Sequence, residues 1–340
     1  MNKNLTSRQR ISALTQLGDI LKIPDAELSL LINSSQQHNA WFTPENTAKA
    51  VAAIAAMLNS KDLDSWIDDK NSVHTPLNIG LVLAGNIPLV GFHDILSVLG
   101  SGNRALIKLS SQDKKLTPYI LNKLTEIEPG FEALISYVEK LTDYDAIIAT
   151  GSNNTSRYFE YYFSKVPHII RKNRNSIAIL TGNENSEDLK ALGNDIFDYF
   201  GLGCRNVSKI YVPKGYNFNH FFESIEKFKY VTDHHKYNNN YDYNKSIFLV
   251  NMDKHLDNGF LLLKEDHRLA SPLAVIYFEE YDNIQNLEQT LQTMEDQIQC
   301  VISNAELNMK TYGFGKSQQP GLQDYADGID TMRFLQQLGQ

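Results

Sequence analysis

Leu77-Asn78-Ile79-Gly80-Leu81-Val82-Leu83-Ala84 is a short apolar run, closed by the turn-forming Gly85-Asn86-Ile87-Pro88. A run of that length between turn formers reads as a strand buried on both faces, as in a parallel sheet. The pattern then repeats: a helix over 89–99, a turn at Gly100 to Asn103, a strand over 105–109 and a helix over 116–127. A strand over 146–150, a helix over 154–163 and a strand over 176–180 follow. Alternation of this period predicts an α/β fold, with parallel sheets flanked by helices on both faces. Ligands of such sheets bind at the carboxyl ends of the strands.

Upstream, residues 1–75 read as helical. Thr6 or Ser7 can cap a helix through Leu21, and Pro24 ends it. Thr43-Pro44-Glu45 combines a capping oxygen, a proline at the first helical position and an acid in the first turn. Downstream, the alternation predicts a helix over 188–200, strands over 207–212, 246–250, 273–278 and 299–302, and helices over 219–228 and 284–293. The asparagine- and tyrosine-rich segment 230–245, with His234 and His235, reads as a long surface loop.

The chain has 340 residues, enough for two domains, and 42% hydrophobic content fits a sizeable core. Mean hydropathy is -0.34. No apolar run approaches the roughly 18–20 residues of a membrane span, and the first residues carry charges without an apolar signal core. Two cysteines make no disulfide framework, so a reducing cytoplasm is the expected setting. A net charge of -8 argues against general nucleic-acid binding, yet leaves room for local basic pockets.

Several motifs fail on inspection. Gly313-Phe314-Gly315-Lys316-Ser317 lacks the glycine a phosphate loop needs further upstream, where Lys310 stands. Gly201-Leu202-Gly203-Cys204-Arg205-Asn206 precedes a strand rather than opening a helix, so it is no dinucleotide fingerprint. The nine histidines show no ligand spacing, and no metal site is expected. Cys204 is different: Gly201 and Gly203 open the backbone around it, and a thiolate there is a strong nucleophile. The plainer alternative is an inert buried cysteine. Cys300, in Gln299-Cys300-Val301-Ile302, reads as a buried strand residue with no role.

Four pieces stand in order: Gly85-Asn86-Ile87-Pro88, Ile107-Lys108-Leu109-Ser110-Ser111, Ala149-Thr150-Gly151-Ser152 and Gly203-Cys204. Their order and spacing resemble the aldehyde dehydrogenase superfamily. Hydrolytic members carry a water-activating glutamate ahead of the cysteine, whereas no Asp or Glu lies between Glu160 and Glu184 here. That absence, the short chain, Trp41-Phe42-Thr43-Pro44-Glu45 and Asp324-Tyr325-Ala326-Asp327-Gly328-Ile329-Asp330 resemble the acyl-CoA reductase branch, the kind that supplies fatty aldehyde in the bacterial luciferase pathway.

The resemblance implies two doubly wound α/β domains with an N-terminal helical segment. Residues 1–183 would form the helices and the NAD(P)-binding domain, 184–310 the cysteine domain, and 311–340 a segment returning to the first. It implies that Cys204 takes the acyl group from an acyl-CoA and that Asn86 donates to the oxyanion. Lys108, Ser110, Ser111, Thr150, Gly151 and Ser152 would contact the cofactor. Serine at 111, where NAD-preferring relatives carry an acid, points to NADPH, with NADH the alternative. Arg171, Lys172 and Arg174 would hold coenzyme A phosphates, or else form a solvated basic loop. Relatives imply a homo-oligomer. An acyl-phosphate reductase of the same superfamily and a non-catalytic nucleotide-binding subunit are the rival readings.

Overall fold

The structure, a computed structural model, describes residues 4–67, 75–151 and 153–338. The chain divides into two units, Met1–Asn173 with Pro320–Gln340, and Arg174–Gln319. The first break precedes the expected boundary at 183/184, because the strand over 175–179 hydrogen-bonds within the second sheet. The second follows the expected 310/311, because residues up to Ser317 are tied to the second unit through Asp195.

Unit 1 begins with four helices: α1 (Ser7–Lys22), α2 (Ala26–His38), α3 (Pro44–Met57) and α4 (Ser60–Trp66). Thr6 and Gln9 close a reciprocal capping box on α1, and Thr43 caps α3 as its sequence predicts. The sheet comprises β1 (Asn78–Val82), β2 (Arg104–Lys108), β3 (Ile135–Tyr137), β4 (Ala146–Thr150) and β5 (His168–Arg171). All pairings are parallel, in the order β3-β2-β1-β4-β5. The order reverses between β1 and β4, the switch point at which doubly wound sheets open a crevice. Helices α5 (Phe92–Gly100), α6 (Leu116–Ile127) and α7 (Asn153–Phe163) follow β1, β2 and β4. α5 is buried along its whole length, Asp94 included.

Unit 2 carries a sheet of β6 (Asn175–Ile179), β7 (Val207–Pro213), β8 (Leu256–Asp257), β9 (Leu262–Glu265), β10 (Val275–Tyr281) and β11 (Ile298–Ile302). Its order is β11-β6-β7-β10-β9-β8, parallel except for the β8–β9 pair. Helices α8 (Ser186–Phe197), α9 (Asn219–Ser224), α10 (His235–Val250) and α11 (Ile284–Gln292) complete it. The loop expected over 230–245 and the strand expected over 246–250 are both incorrect, since α10 occupies nearly all of that stretch. Tyr237, Tyr241, Asn244 and Phe248 recur at three-and-four spacing and are the buried face of α10. The Tyr237 hydroxyl donates to the Phe260 carbonyl, Tyr241 to Asp257, and the Asn244 amide to the Leu273 carbonyl. His234 caps the helix through its ring, accepting from the Tyr237 N–H. Among the described residues, no helix is long and apolar enough to cross a membrane. The last helix of the chain, α12 (Thr331–Leu338), belongs to unit 1.

Candidate active site

In unit 2 the cysteine is presented by a short turn between α8 and β7. α8 ends at Phe197, and Tyr199, Phe200 and Gly201 then take left-handed backbone conformations in succession, with φ of 53°, 58° and 78°. For Tyr199 and Phe200 this costs roughly 1–2 kcal/mol each, which buried packing must offset. Both side chains are buried, and the Phe200 ring lies 4.4 Å from that of His234. Glycine at 201 carries no such penalty.

Asn206 locks the turn. Its Oδ1 accepts from the Gly203 N–H at 2.8 Å, and its Nδ2 donates to the carbonyls of Asp195 at 3.1 Å and Asp198 at 2.8 Å. One amide thus satisfies carbonyls that the end of α8 leaves open and fixes the peptide ahead of Cys204. The Cys204 carbonyl accepts from Ser176 Oγ at 2.9 Å. The thiol-bearing residue itself is exposed, whereas Cys300, on β11, is buried at 2% exposure. A pinned backbone and an exposed thiol are what a nucleophile needs.

The failed phosphate-loop motif has an internal occupant. The N–H groups of Gly315 and Ser317 donate at 2.6 and 3.0 Å to the two carboxylate oxygens of Asp195. Burial pushes the Asp195 carboxyl above its ordinary pKa, while these hydrogen bonds hold it down.

Unit 1 gathers its candidates at the carboxyl ends of β1, β2 and β4. Val82 stands in register with Lys108 on one side and Ala149 on the other. A Cβ on Gly85 would fall 2.3 Å from Ser110 Oγ, so the exits of β1 and β2 touch and glycine is required there. Ser110 Oγ also accepts from the Gln112 N–H at 3.3 Å, which makes it a turn residue. Asn86, Lys108 and Ser111 are exposed, and Thr150 and Gly151 are half-buried at the β4 exit. Ser152 lies outside the described residues.

The only acid in the β2 exit loop, Asp113, is buried and accepts from the N–H groups of Leu89, Leu116 and Thr117. Burial raises its pKa. The loop therefore shows solvent Lys108, Lys114 and Lys115 with Ser111, a donor set that suits a phosphorylated adenosine ribose.

The basic stretch does not act as one surface, and the phosphate role expected for Arg171 is corrected here. Arg171 lies on β5 at 3% exposure, with a two-pronged ion pair to Asp94 at 2.5 and 3.1 Å. Its guanidinium also donates to the Ala326 carbonyl and to Thr331 Oγ1. A cation so enclosed holds unit 1 together. Lys172 is exposed and pairs with Glu160 at 2.8 Å, and Arg174 reaches the carbonyls of Glu295 and Ile298 in unit 2.

The family model described as Acyl-CoA reductase (LuxC) matches residues 26–223, more than half of the chain and both strand-end motifs and cysteine turn. The chain belongs to this acyl-CoA reductase family. It is accordingly an oxidoreductase of acyl-CoA reductase type, acting in aldehyde-related chemistry. Among solved structures it is similar to aldehyde dehydrogenase 21 from Physcomitrella patens, in complex with succinate, at 12% identity and a TM-score of 0.66, covering 98% of this chain and 84% of that one. The aldehyde dehydrogenase KauB from Pseudomonas aeruginosa follows at 14% identity and 0.64, covering 89% and 73%. A Mycobacterium tuberculosis aldehyde dehydrogenase complexed with NAD+ gives 12% and 0.60, covering 88% and 73%. These likenesses establish the aldehyde-dehydrogenase-like fold. No curated protein matches the chain.

Sequence reasoning passed over Asn206, Ser176 and Asp195, which shape the cysteine turn. Asn206 carried one signal, an amide two residues past the cysteine at the junction of a helix and a strand. Ser176 and Asp195 carried none, because their partners lie at Cys204 and in the loop at 315–317.

Proposed function

We propose that this acyl-CoA reductase converts an acyl-CoA, of the fatty acyl class, to the aldehyde with NADPH, and that Cys204 carries the acyl group. The observation that supports this most is the contrast between two thiols: one exposed on a locked turn, the other enclosed in a strand. The Cys204 thiolate attacks the thioester carbonyl, a new carbon–sulfur bond forms, and coenzyme A departs as its thiolate and takes up a proton. The Cys204 peptide N–H and the Asn86 side chain are proposed as donors to the oxygen that becomes negative, each worth on the order of 100-fold in rate. NADPH, when bound, supplies the hydride that reduces the acyl carbon, with Lys108, Ser110, Ser111, Thr150, Gly151 and Ser152 as the residues that would hold it. Cys204 then leaves as a thiolate while the carbonyl of the aldehyde re-forms.

Water is a competitor for such an acyl-cysteine. The chain offers it no base between Glu160 and Glu184. Both flanking acids are engaged locally, Glu160 by Lys172 and Glu184 by the N–H groups of Thr181 and Gly182. Of the basic residues, Lys172 and Arg174 are proposed for coenzyme A phosphates and Arg171 is not.

The test is to incubate the protein with long-chain acyl-CoA and NADPH and follow nicotinamide absorbance. Turnover that vanishes in Cys204→Ala, with NADPH binding kept, is the expected result. Turnover that persists in the alanine variant refutes the assignment, and a preference for acyl phosphate over acyl-CoA selects the rival reductase.

A further inference from the structure

Arg205 follows the proposed nucleophile directly, yet its side chain is turned inward. One guanidinium nitrogen donates to Cys300 Sγ at 3.3 Å and to the Ser317 carbonyl at 3.4 Å. The guanidinium carbon lies 5.8 Å from the centre of the Tyr312 ring. The Ser317 backbone is itself held by Asp195. A cation gripped by β11, by an aromatic ring and by a braced loop is pre-organised, with little side-chain freedom left to lose.

We infer that Arg205 is a positioning residue that sets the ionisation of Cys204, holding a fixed cation beside the thiol so that the thiolate is populated near neutral pH. Arg205 acts through the cysteine and touches no substrate. The groups facing it are Cys204 next in the chain, Cys300 on β11, Tyr312 and Lys310 on the segment after β11, and Asp195 of α8, with Asp198 beside it, behind Ser317. Burial opposes the charge of the guanidinium, but Cys300, Tyr312 and Cys204 outweigh that, so its proton is held more tightly than usual. The interaction is mutual: a guanidinium favoured by a thiolate favours the thiolate. Cys300 has no path to solvent, so the exposed partner is the one whose reactivity the cation can express.

This inference rests on Cys204 being the nucleophile, but its test does not need turnover. The rate of iodoacetamide alkylation at Cys204 is measured against pH on the full chain, with peptide mass spectrometry to assign the site. The wild type should titrate below the ordinary thiol value of about 8.5. Arg205→Met should move the midpoint up by about one pH unit and slow labelling at pH 7 about tenfold. Arg205→Lys keeps a charge and should keep most of the lowered midpoint. A wild-type midpoint at or above about 8.5, or a methionine variant that titrates like the wild type, overturns the inference. If the methionine variant does not fold, the wild-type and lysine curves decide alone. Persistence of turnover in Cys204→Ala would instead remove the nucleophile assignment, an outcome read in a separate assay.

Discussion

Asn206→Ala tests whether the cysteine turn is held by one amide. The side chain is 3% exposed and makes three short hydrogen bonds to main-chain groups, at 2.8, 3.1 and 2.8 Å. At about 1 kcal/mol net for each bond, alanine should cost about 3 kcal/mol, and more where a buried carbonyl finds no water. That is a large part of the 5–15 kcal/mol typical of a domain, and at about 2–4 °C per kcal/mol it lowers the unit 2 melting transition by roughly 6–12 °C. Asn206→Asp can still accept from Gly203 but places a carboxylate against two carbonyls at the negative end of α8, so it should do no better. Activity should fall further than stability, because a displacement near 1 Å at the reacting atom costs about 100-fold. Chemical denaturation of the full chain, followed in parallel with kcat, reads both effects. An alanine variant within about 0.5 kcal/mol of wild type, with kcat unchanged, would refute the reasoning.

Other expectations follow from single contacts. Arg171→Met leaves Asp94 buried without its partner and should destabilise unit 1 by about 3–5 kcal/mol; unchanged stability with a raised KM for acyl-CoA would instead return Arg171 to the substrate. Ser111→Asp puts a carboxylate on the exposed β2 exit loop and should shift the kcat/KM ratio from NADPH toward NADH by about tenfold or more, with no shift counting against the cofactor assignment. Arg268 beside Asp266 holds that carboxyl well below the usual carboxylate range. Its contribution is therefore present above the unfolded value of about 4 and is lost as pH falls toward the depressed folded value, so Asp266→Asn should flatten the acid limb of the stability curve. An acid limb identical to wild type in thermal melts between pH 5 and 3 would contradict this.

The sheets were legible where burial alone decides the residue types. Ala146 to Thr150 and Leu116 to Ile127 stand in the structure with the bounds their apolar patterns predict. α10 was not legible, because its buried stripe is made of tyrosine and asparagine, whose hydroxyls and amides find partners only in the folded unit. β5 was masked by the cations around it, and Arg171 looked solvated because its counter-ion lies 77 positions away. At the site, the exposed thiol and the strand-end residues could be named from motif order. The setting of Arg205 could not, since Cys300, Tyr312 and Ser317 come from parts of the chain with no visible link to it.

The division of the chain has a consequence for biosynthesis. Unit 2 is one uninterrupted stretch, complete once Gln319 has been made. Unit 1 is begun first and finished last: Trp66 waits for the Tyr325 hydroxyl, His93 for the Leu322 carbonyl, and Arg171 for Thr331. The half synthesised later is thus the first that can settle on the ribosome, while the N-terminal half stays open until the final residues emerge.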